Sequence, residues 1–233
     1  MNNFNNRSGE FSSGIGSDYI SLSGYVELSD IVKWHINNNR QHVLKRDDPA
    51  LIFDVETRTR FYDIKKYINS NTKILDFGCS TGLFGFHLCN MIQNYTGVDF
   101  NNNQIEKANY FKKINNINNC HFLCETFSNY FTSNYNDKFD YILFLAVTDH
   151  IKSSIDINNY QLIKLLKSKM NLNGYILIEG GPIRTNINNI VDANYENTWL
   201  ELYNELKNDV DLYEEYTKFS REKRYLHLFK KIK

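Results

Sequence analysis

The chain has 233 residues and equal numbers of basic and acidic side chains, 27 Lys and Arg against 27 Asp and Glu, so its formal net charge is zero. This length suits one domain, and a neutral chain has no overall field that would draw it to nucleic acid or to an anionic membrane, although a local basic patch stays open. Its four cysteines lack the spacing of a zinc site or a disulfide framework, and no apolar run is long enough to span a bilayer, so we expect a reduced, cytoplasmic protein without a membrane partner.

The first part of the chain, residues 1–71, is predicted to be an extension in front of a core at 72–233. It opens with a stretch rich in Asn, Ser and Gly, and a helix is predicted at 54–68. Tyr25 and Trp34 precede this helix and are candidate substrate-binding residues of a lid that excludes water from a site. Ordinary packing against the core is the equal alternative.

The core region alternates short apolar runs with longer amphipathic stretches, which is typical of strand–helix units around a parallel sheet. Strands are predicted at 73–77, 95–99, 120–124, 139–145 and 175–178, and helices at 83–93, 103–114 and 157–170. A further helix is predicted at 195–207 and a closing strand at 225–230. The predicted fold class is therefore α/β, with a doubly wound, mostly parallel sheet.

A glycine-containing turn follows the first predicted strand. Gly78 and Gly82 lie in this turn, and Asp76 precedes them at the strand end. Ligands of open parallel sheets bind at the carboxyl ends of the strands, so the turn lies where a cofactor would bind. The dinucleotide motif GxGxxG would need glycine at Ser80, and an acid beside the turn suits a cationic ligand group and opposes a diphosphate. A purely structural turn is the alternative.

The second predicted strand ends at Asp99, where a carboxylate can accept both hydroxyls of a ribose. The order of Asp76, glycine turn and Asp99 resembles motifs I and II of the class I S-adenosylmethionine-dependent methyltransferases, in which LDxGxGxG precedes an acid that ends strand two. Two later segments, FDYILFLAVTDHI at 139–151 and NGYILI at 173–178, resemble the fourth and fifth strands of that family. The resemblance implies a Rossmann-like sheet of seven strands and S-adenosyl-L-methionine as the cofactor.

The resemblance also implies roles in cofactor binding. In the family the turn wraps the methionine part, the second acid binds the ribose, and an acid after strand three often contacts the adenine amine. The corresponding candidates are Asp76, Gly78, Cys79, Ser80, Gly82, Asp99, Phe100, Glu125, Thr126 and Leu145. Phe100 is expected on the adenine face or in the core, and Glu125 at the adenine or at the surface. Because Ser80 replaces the usual glycine, we expect ordinary backbone angles there.

Methyl transfer from a sulfonium is an in-line displacement, so the protein has to align the acceptor and, for a hydroxyl, to remove its proton. Asp149 and His150 follow the fourth strand, and a histidine has a pKa suited to a general base near neutrality. Small-molecule O-methyltransferases of the ubiquinone-biosynthesis type carry Glu-His at this point, which this pair resembles. Arg184, after the fifth strand, is a candidate for binding an acceptor phosphate or carboxylate. A structural role for His150 and a solvated Arg184 are the alternatives.

The chain lacks the sequence motifs of several classes of methyltransferase that act on DNA, RNA or protein. The fourth strand is not followed by Asn/Asp-Pro-Pro-Tyr, no cysteine follows a proline, and the paired-glutamate loop of protein-arginine enzymes is missing. With zero net charge, the sequence favours an oxygen atom of a small molecule or a sugar-linked metabolite as acceptor, and no nucleic-acid partner. RNA or protein methylation and a non-catalytic binding module stay open. Strand six is not evident in 209–222.

Overall fold

The structure is a computed structural model that describes residue 60 and residues 63–114, 116–133, 135–145, 147, 157–180, 193–221 and 224–233. The strands are β1 Lys73–Phe77, β2 Asn94–Asp99, β3 Cys120–Cys124, β4 Phe139–Leu145, β5 Met170–Gly180, β6 Leu212–Arg221 and β7 Arg224–Lys231. The helices are α1 Leu83–Leu88, α2 Asn102–Ile114, α3 Phe127–Thr132, α4 Asn159–Ser168 and α5 Ala193–Asn208. Arg60 and residues 63–66 are helical too.

The seven strands form one sheet in the order β3-β2-β1-β4-β5-β7-β6. Strands β1 to β5 pair in parallel, and β7 runs antiparallel to both β5 and β6. The predicted α/β class with a mostly parallel seven-stranded sheet is therefore confirmed. Since the carboxyl ends of β1 to β5 lie at one edge, the chain segments that leave these strands meet there.

The sheet is buried on both faces, as expected for parallel strands with crossover helices. Along β1, Ile74 packs into one apolar layer and Leu75 packs into the other. Phe86 of α1 contributes to the first layer, and Leu162 of α4 contributes to the second. Alternate residues of one strand thus serve both layers, which is why the strands read as continuous apolar runs.

The fourth strand contains an acidic residue, Asp140, and its hydrogen bonds explain why it occurs there. One of its carboxylate oxygens accepts the Lys73 backbone N–H at 2.9 Å, and the other accepts the Asn171 side-chain amide at 2.7 Å. These contacts join the beginnings of β1, β4 and β5, at the edge opposite the glycine turn. Asp140 therefore fixes strand register and lies away from the candidate site.

Some predicted element bounds were wrong. Helix α1 ends at Leu88 and not near residue 93. In a longer helix the Gln93 N–H would donate to the Cys89 carbonyl, but it donates to the Thr72 carbonyl at 3.0 Å, and the Cys89 carbonyl accepts from the Asn119 side chain. Strand β5 begins earlier than predicted, at Met170, with a left-handed residue at Asn173 (φ 64°).

Three further elements bear on the sequence predictions. Of the predicted helix at 54–68, residues 60 and 63–68 are described; 60 and 63–66 are helical, whereas 67 and 68 are not. Helix α3 was not predicted. Strand β6 occupies the stretch that had no clear strand pattern. Among the described residues, no helix is both long and apolar enough to cross a membrane.

Candidate cofactor site

The turn after β1 has an unusual backbone. Gly78, Ser80 and Gly82 all have positive φ, at 74°, 50° and 81°. The expectation of ordinary backbone angles at Ser80 was therefore wrong. A left-handed conformation costs an L-residue roughly 1–2 kcal/mol, and the hydrogen bond from the Ser80 backbone N–H to Asp99, at 3.0 Å, helps to offset this cost.

Close packing explains why glycine occurs at two of these positions. A Cβ atom on Gly78 would overlap the side chain of Val147, which follows β4, and a Cβ atom on Gly82 would overlap the ring of Phe122 in β3. The backbone N–H of Gly78 also donates to the carbonyl of Val98 at 2.8 Å. The turn is thus held between β2, β3 and the segment after β4.

Asp99 ends β2 beside this turn. One carboxylate oxygen accepts the Ser80 N–H and the other accepts the Asn101 N–H at 2.9 Å. An ionised carboxylate has about four lone-pair positions, so each oxygen can accept a further hydrogen bond. Asp99 is only partly buried. It can therefore receive two hydroxyl donors from a ligand such as a ribose.

Phe100 is 72% exposed, directly after Asp99. The alternative that it belongs to the core was therefore wrong. The Cys124 thiol lies 3.7 Å from its carbonyl oxygen, and the Glu125 N–H donates to the Asp99 carbonyl at 3.1 Å. The ends of β2 and β3 thus form one surface with a carboxylate, an exposed aromatic ring and a second acid. This combination suits a nucleoside.

Three of the remaining candidates lie at the same edge but have partners of their own. The Thr126 hydroxyl caps α3 by accepting the Asn129 N–H at 3.1 Å. Leu145, the last residue of β4, pairs with Glu179 and packs against the first apolar layer. The Cys79 side chain is buried, and burial raises the pKa of its thiol well above the ordinary value. At Cys79 the turn therefore offers backbone groups and not a reactive thiol.

Asp76 lies beneath the turn with only 3% of its surface exposed. The pKa of its carboxyl is raised to about 7: burial and the charge of Asp99 raise it, and the hydrogen bond from Tyr95 and the charge of Arg60 lower it by less. The Tyr95 hydroxyl donates directly to Asp76. The sequence did not identify Tyr95 as a site residue, because a tyrosine in an apolar strand is typical of ordinary core packing.

A buried ion pair completes this edge of the sheet. The Arg60 Nε donates to Glu179 Oε1 at 3.0 Å, and its Nη2 donates to Oε2. The Glu179 side chain is fully buried, and that of Arg60 is 12% exposed. The two residues are 119 positions apart in the chain. The only sequence signal for this pair is an acid at the end of an otherwise apolar strand.

Five candidate residues lie outside the described part of the chain: Asp149, His150, Arg184, Tyr25 and Trp34. The candidate base and the candidate acceptor-binding residues therefore stay predictions. The described candidates that lie close together at the carboxyl edge of the sheet are Asp76, the residues of the turn, Asp99, Phe100 and Glu125.

Comparisons with known proteins agree with this arrangement. The family described as methyltransferase domain matches residues 68–218. Two solved structures share the fold. An rRNA methylase from Streptococcus thermophilus has a TM-score of 0.55 and 12% identity, over 82% of this chain and 100% of that chain. A SAM-dependent methyltransferase from Aquifex aeolicus has a TM-score of 0.54 and 12% identity, over 73% of this chain and 88% of that chain.

One curated protein is similar in sequence over part of its length. The zinc finger CCCH domain-containing protein 24 of Arabidopsis thaliana is 30% identical over 95 residues, which are 39% of this chain and 11% of the relative. The chain thus spans about a tenth of the length of that relative. The family match, by contrast, extends over more than half of the chain, from residue 68 to residue 218. The chain therefore belongs to the methyltransferase domain family, which implies S-adenosyl-L-methionine as its cofactor.

Proposed function

We propose that this chain transfers the methyl group of S-adenosyl-L-methionine to an oxygen atom of a small molecule or a sugar-linked metabolite. One observation carries the cofactor half of the proposal: the Ser80 N–H donates to Asp99 at 3.0 Å, so the left-handed turn and the candidate ribose acid form one unit. The zero net charge supports a small acceptor over a polyanion.

The residues of this edge fit the cofactor by chemistry. Asp99 would accept the ribose hydroxyls through its remaining lone pairs, and Phe100 would stack on the adenine through its exposed ring. Glu125 would accept the adenine amine. When bound, the cofactor supplies an electrophilic methyl group on a sulfonium. In its ionised form, a buried acid such as Asp76 beneath the turn would favour a ligand with positive charge.

Residues that follow β4 and β5 would bind the acceptor and remove its proton. His150 would take the proton from an acceptor hydroxyl, with Asp149 as its neighbour in the chain. Arg184 would bind an acidic group of the acceptor through its planar guanidinium, and Tyr25 and Trp34 would exclude water. These roles rest on the sequence pattern.

A second candidate function is methylation of RNA. It is favoured by the likeness in fold to the rRNA methylase from Streptococcus thermophilus. Under this alternative, binding of the acceptor would weaken steeply with added salt, because each phosphate contact releases counterions.

The cofactor half is tested by calorimetry with S-adenosylhomocysteine. We expect binding by the native chain and a loss of at least about tenfold in Asp99→Ala, because charge-assisted hydrogen bonds contribute about 1.5–3 kcal/mol. Asn103→Ala is a suitable control, since Asn103 is exposed and follows the site on α2. A native chain that does not bind S-adenosylhomocysteine would contradict the proposal.

The acceptor half is tested with S-adenosylmethionine that carries a labelled methyl group. Purified chain is incubated with separated RNA, protein and small-molecule fractions, and the label in each fraction is counted. We expect label in the small-molecule fraction, with slower transfer by His150→Ala and unchanged binding of S-adenosylhomocysteine. Label confined to RNA would support the second candidate instead.

A further inference from the structure

The carboxyl edge of the sheet is rich in acids. Asp76 and Asp99 lie beside the glycine turn, and Glu179 lies at the end of β5, two strands away from β1. The methionine part of the cofactor carries a carboxylate as well as an ammonium group, and acids repel the former. Binding of this part therefore calls for a cation or strong hydrogen-bond donors at this edge.

Arg60 brings a positive charge into this acidic cluster. It binds Glu179, which pairs with Leu145 at the end of β4, the strand next to β1, and its charge also lowers the pKa of Asp76. The fork to Glu179 uses one N–H of Nε and one of Nη2. An arginine has about five N–H donors in a fixed plane. The rest, on Nη1 and Nη2, have no partner among the described residues, and the side chain is 12% exposed.

Glu179 holds the guanidinium in place from the side opposite these donors. Its carboxylate is fully buried and makes a two-point contact, which fixes the plane of the guanidinium as well as its position. A buried ion pair gives little net stability compared with an apolar pair of similar size. Its occurrence at the ligand edge is therefore better explained by recognition than by stability.

We infer that Arg60, oriented by Glu179, binds the α-carboxylate of the methionine part of the cofactor. This inference rests on the proposed function. Arg60 acts as a binding residue, and Glu179 acts as a positioning residue that does not touch the ligand. The two ends of the cofactor would then bind at two parts of the carboxyl edge: the nucleoside at Asp99 and Phe100, and the amino-acid end at Arg60.

The test compares two ligands that differ in the group Arg60 would bind. S-adenosylhomocysteine contains the amino-acid end, and 5′-methylthioadenosine lacks it. Dissociation constants for both are measured by calorimetry with the full chain. The variants are Glu179→Gln, which keeps Arg60, and the double variant Arg60→Met with Glu179→Gln, which removes both charges and so leaves no uncompensated buried carboxylate.

We expect Glu179→Gln to bind S-adenosylhomocysteine a few-fold more weakly than the native chain, because the amide keeps one acceptor oxygen for Arg60 and loses the second contact that orients the guanidinium. The double variant should bind it about 10- to 100-fold more weakly, the range of a charge-assisted hydrogen bond. Both variants should bind 5′-methylthioadenosine as the native chain does. Lys65→Met removes a positive charge from an exposed position on the same helical segment and should change neither affinity.

Two outcomes would overturn the inference while the proposed function stands. In one, the double variant keeps the native affinity for S-adenosylhomocysteine. In the other, it loses affinity for both ligands to the same extent, which would assign the pair a structural role. If the native chain binds neither ligand, the proposed function fails and this inference fails with it.

Discussion

Asp76 makes the stability of the protein depend on pH in an unusual direction. Its pKa is about 7 in the folded chain, against an ordinary value of 3.8. The unfolded chain therefore loses this proton first as the pH rises, and the fold is favoured at low pH. The stabilisation that Asp76 contributes is fully present below about pH 4 and is lost as the pH rises to about 7. Above about pH 7 this contribution no longer changes with pH.

The size of this effect follows from the two pKa values. At about 1.4 kcal/mol per pKa unit, their difference corresponds to about 4 kcal/mol as an upper limit. Asp76→Asn cannot titrate, so its free energy of unfolding should lack this loss. We expect the free energy of unfolding of the variant to rise relative to that of the native chain by up to about 3 kcal/mol between about pH 5 and about pH 8. Any fixed cost of the buried amide adds a constant and leaves this slope unchanged.

Urea unfolding of both chains at several pH values measures the difference directly. Other titrating groups are common to the two chains and cancel. Tyr95→Phe is the matched control: it removes the hydrogen bond that lowers the pKa of Asp76, so the loss should continue to higher pH. A difference between native chain and Asp76→Asn that is flat from about pH 5 to about pH 8 would show that Asp76 is ionised throughout, and would refute the reasoning.

Three further outcomes are expected. Phe100→Ala should change the free energy of unfolding by less than about 0.5 kcal/mol, since Phe100 is 72% exposed, yet weaken calorimetric binding of S-adenosylhomocysteine by about 5- to 100-fold, the range of base stacking. Gly78→Ala should lower the urea-unfolding free energy by more than about 1 kcal/mol because of its positive φ and its overlap with Val147, and Val147→Ala in the same chain should restore only the overlap part. Burial lowers the pKa of His227 to about 4, so the stability contributed by His227 should fall by up to about 3 kcal/mol from about pH 6.5 to about pH 4, measured as the difference in free energy of unfolding between the native chain and His227→Gln, in which the Asp76 contribution cancels.

The sequence predicted the structure well where an element is determined by the local pattern of one strand and the turn that follows it. Buried parallel strands appear as apolar runs, so β1, β3 and β4 were predicted with their observed bounds. Strand β6 was not predicted because it is an edge strand. Its exposed positions, such as Glu215, interrupt the apolar pattern. Local pattern thus predicts the interior of the sheet better than its edge.

Parts of the site that depend on distant residues could not be predicted. Arg60 and Glu179 meet across 119 positions, and neither is marked by a local motif. The left-handed conformation of Ser80 is stabilised by a hydrogen bond to Asp99, 19 residues further along the chain. These features arise from tertiary contacts, which a single sequence does not display.

The charges at the carboxyl edge also bear on the difference between cofactor and product under the proposed function. S-adenosylmethionine carries a sulfonium charge that S-adenosylhomocysteine lacks. Asp76 lies beneath the turn and is ionised only above about pH 7, whereas the charge of Glu179 is already compensated by Arg60. Binding of the cation favours the ionised form of Asp76, and the neutral product lacks this coupling. Under the proposed function, the ionised form of this buried acid would therefore favour the charged cofactor over the neutral product.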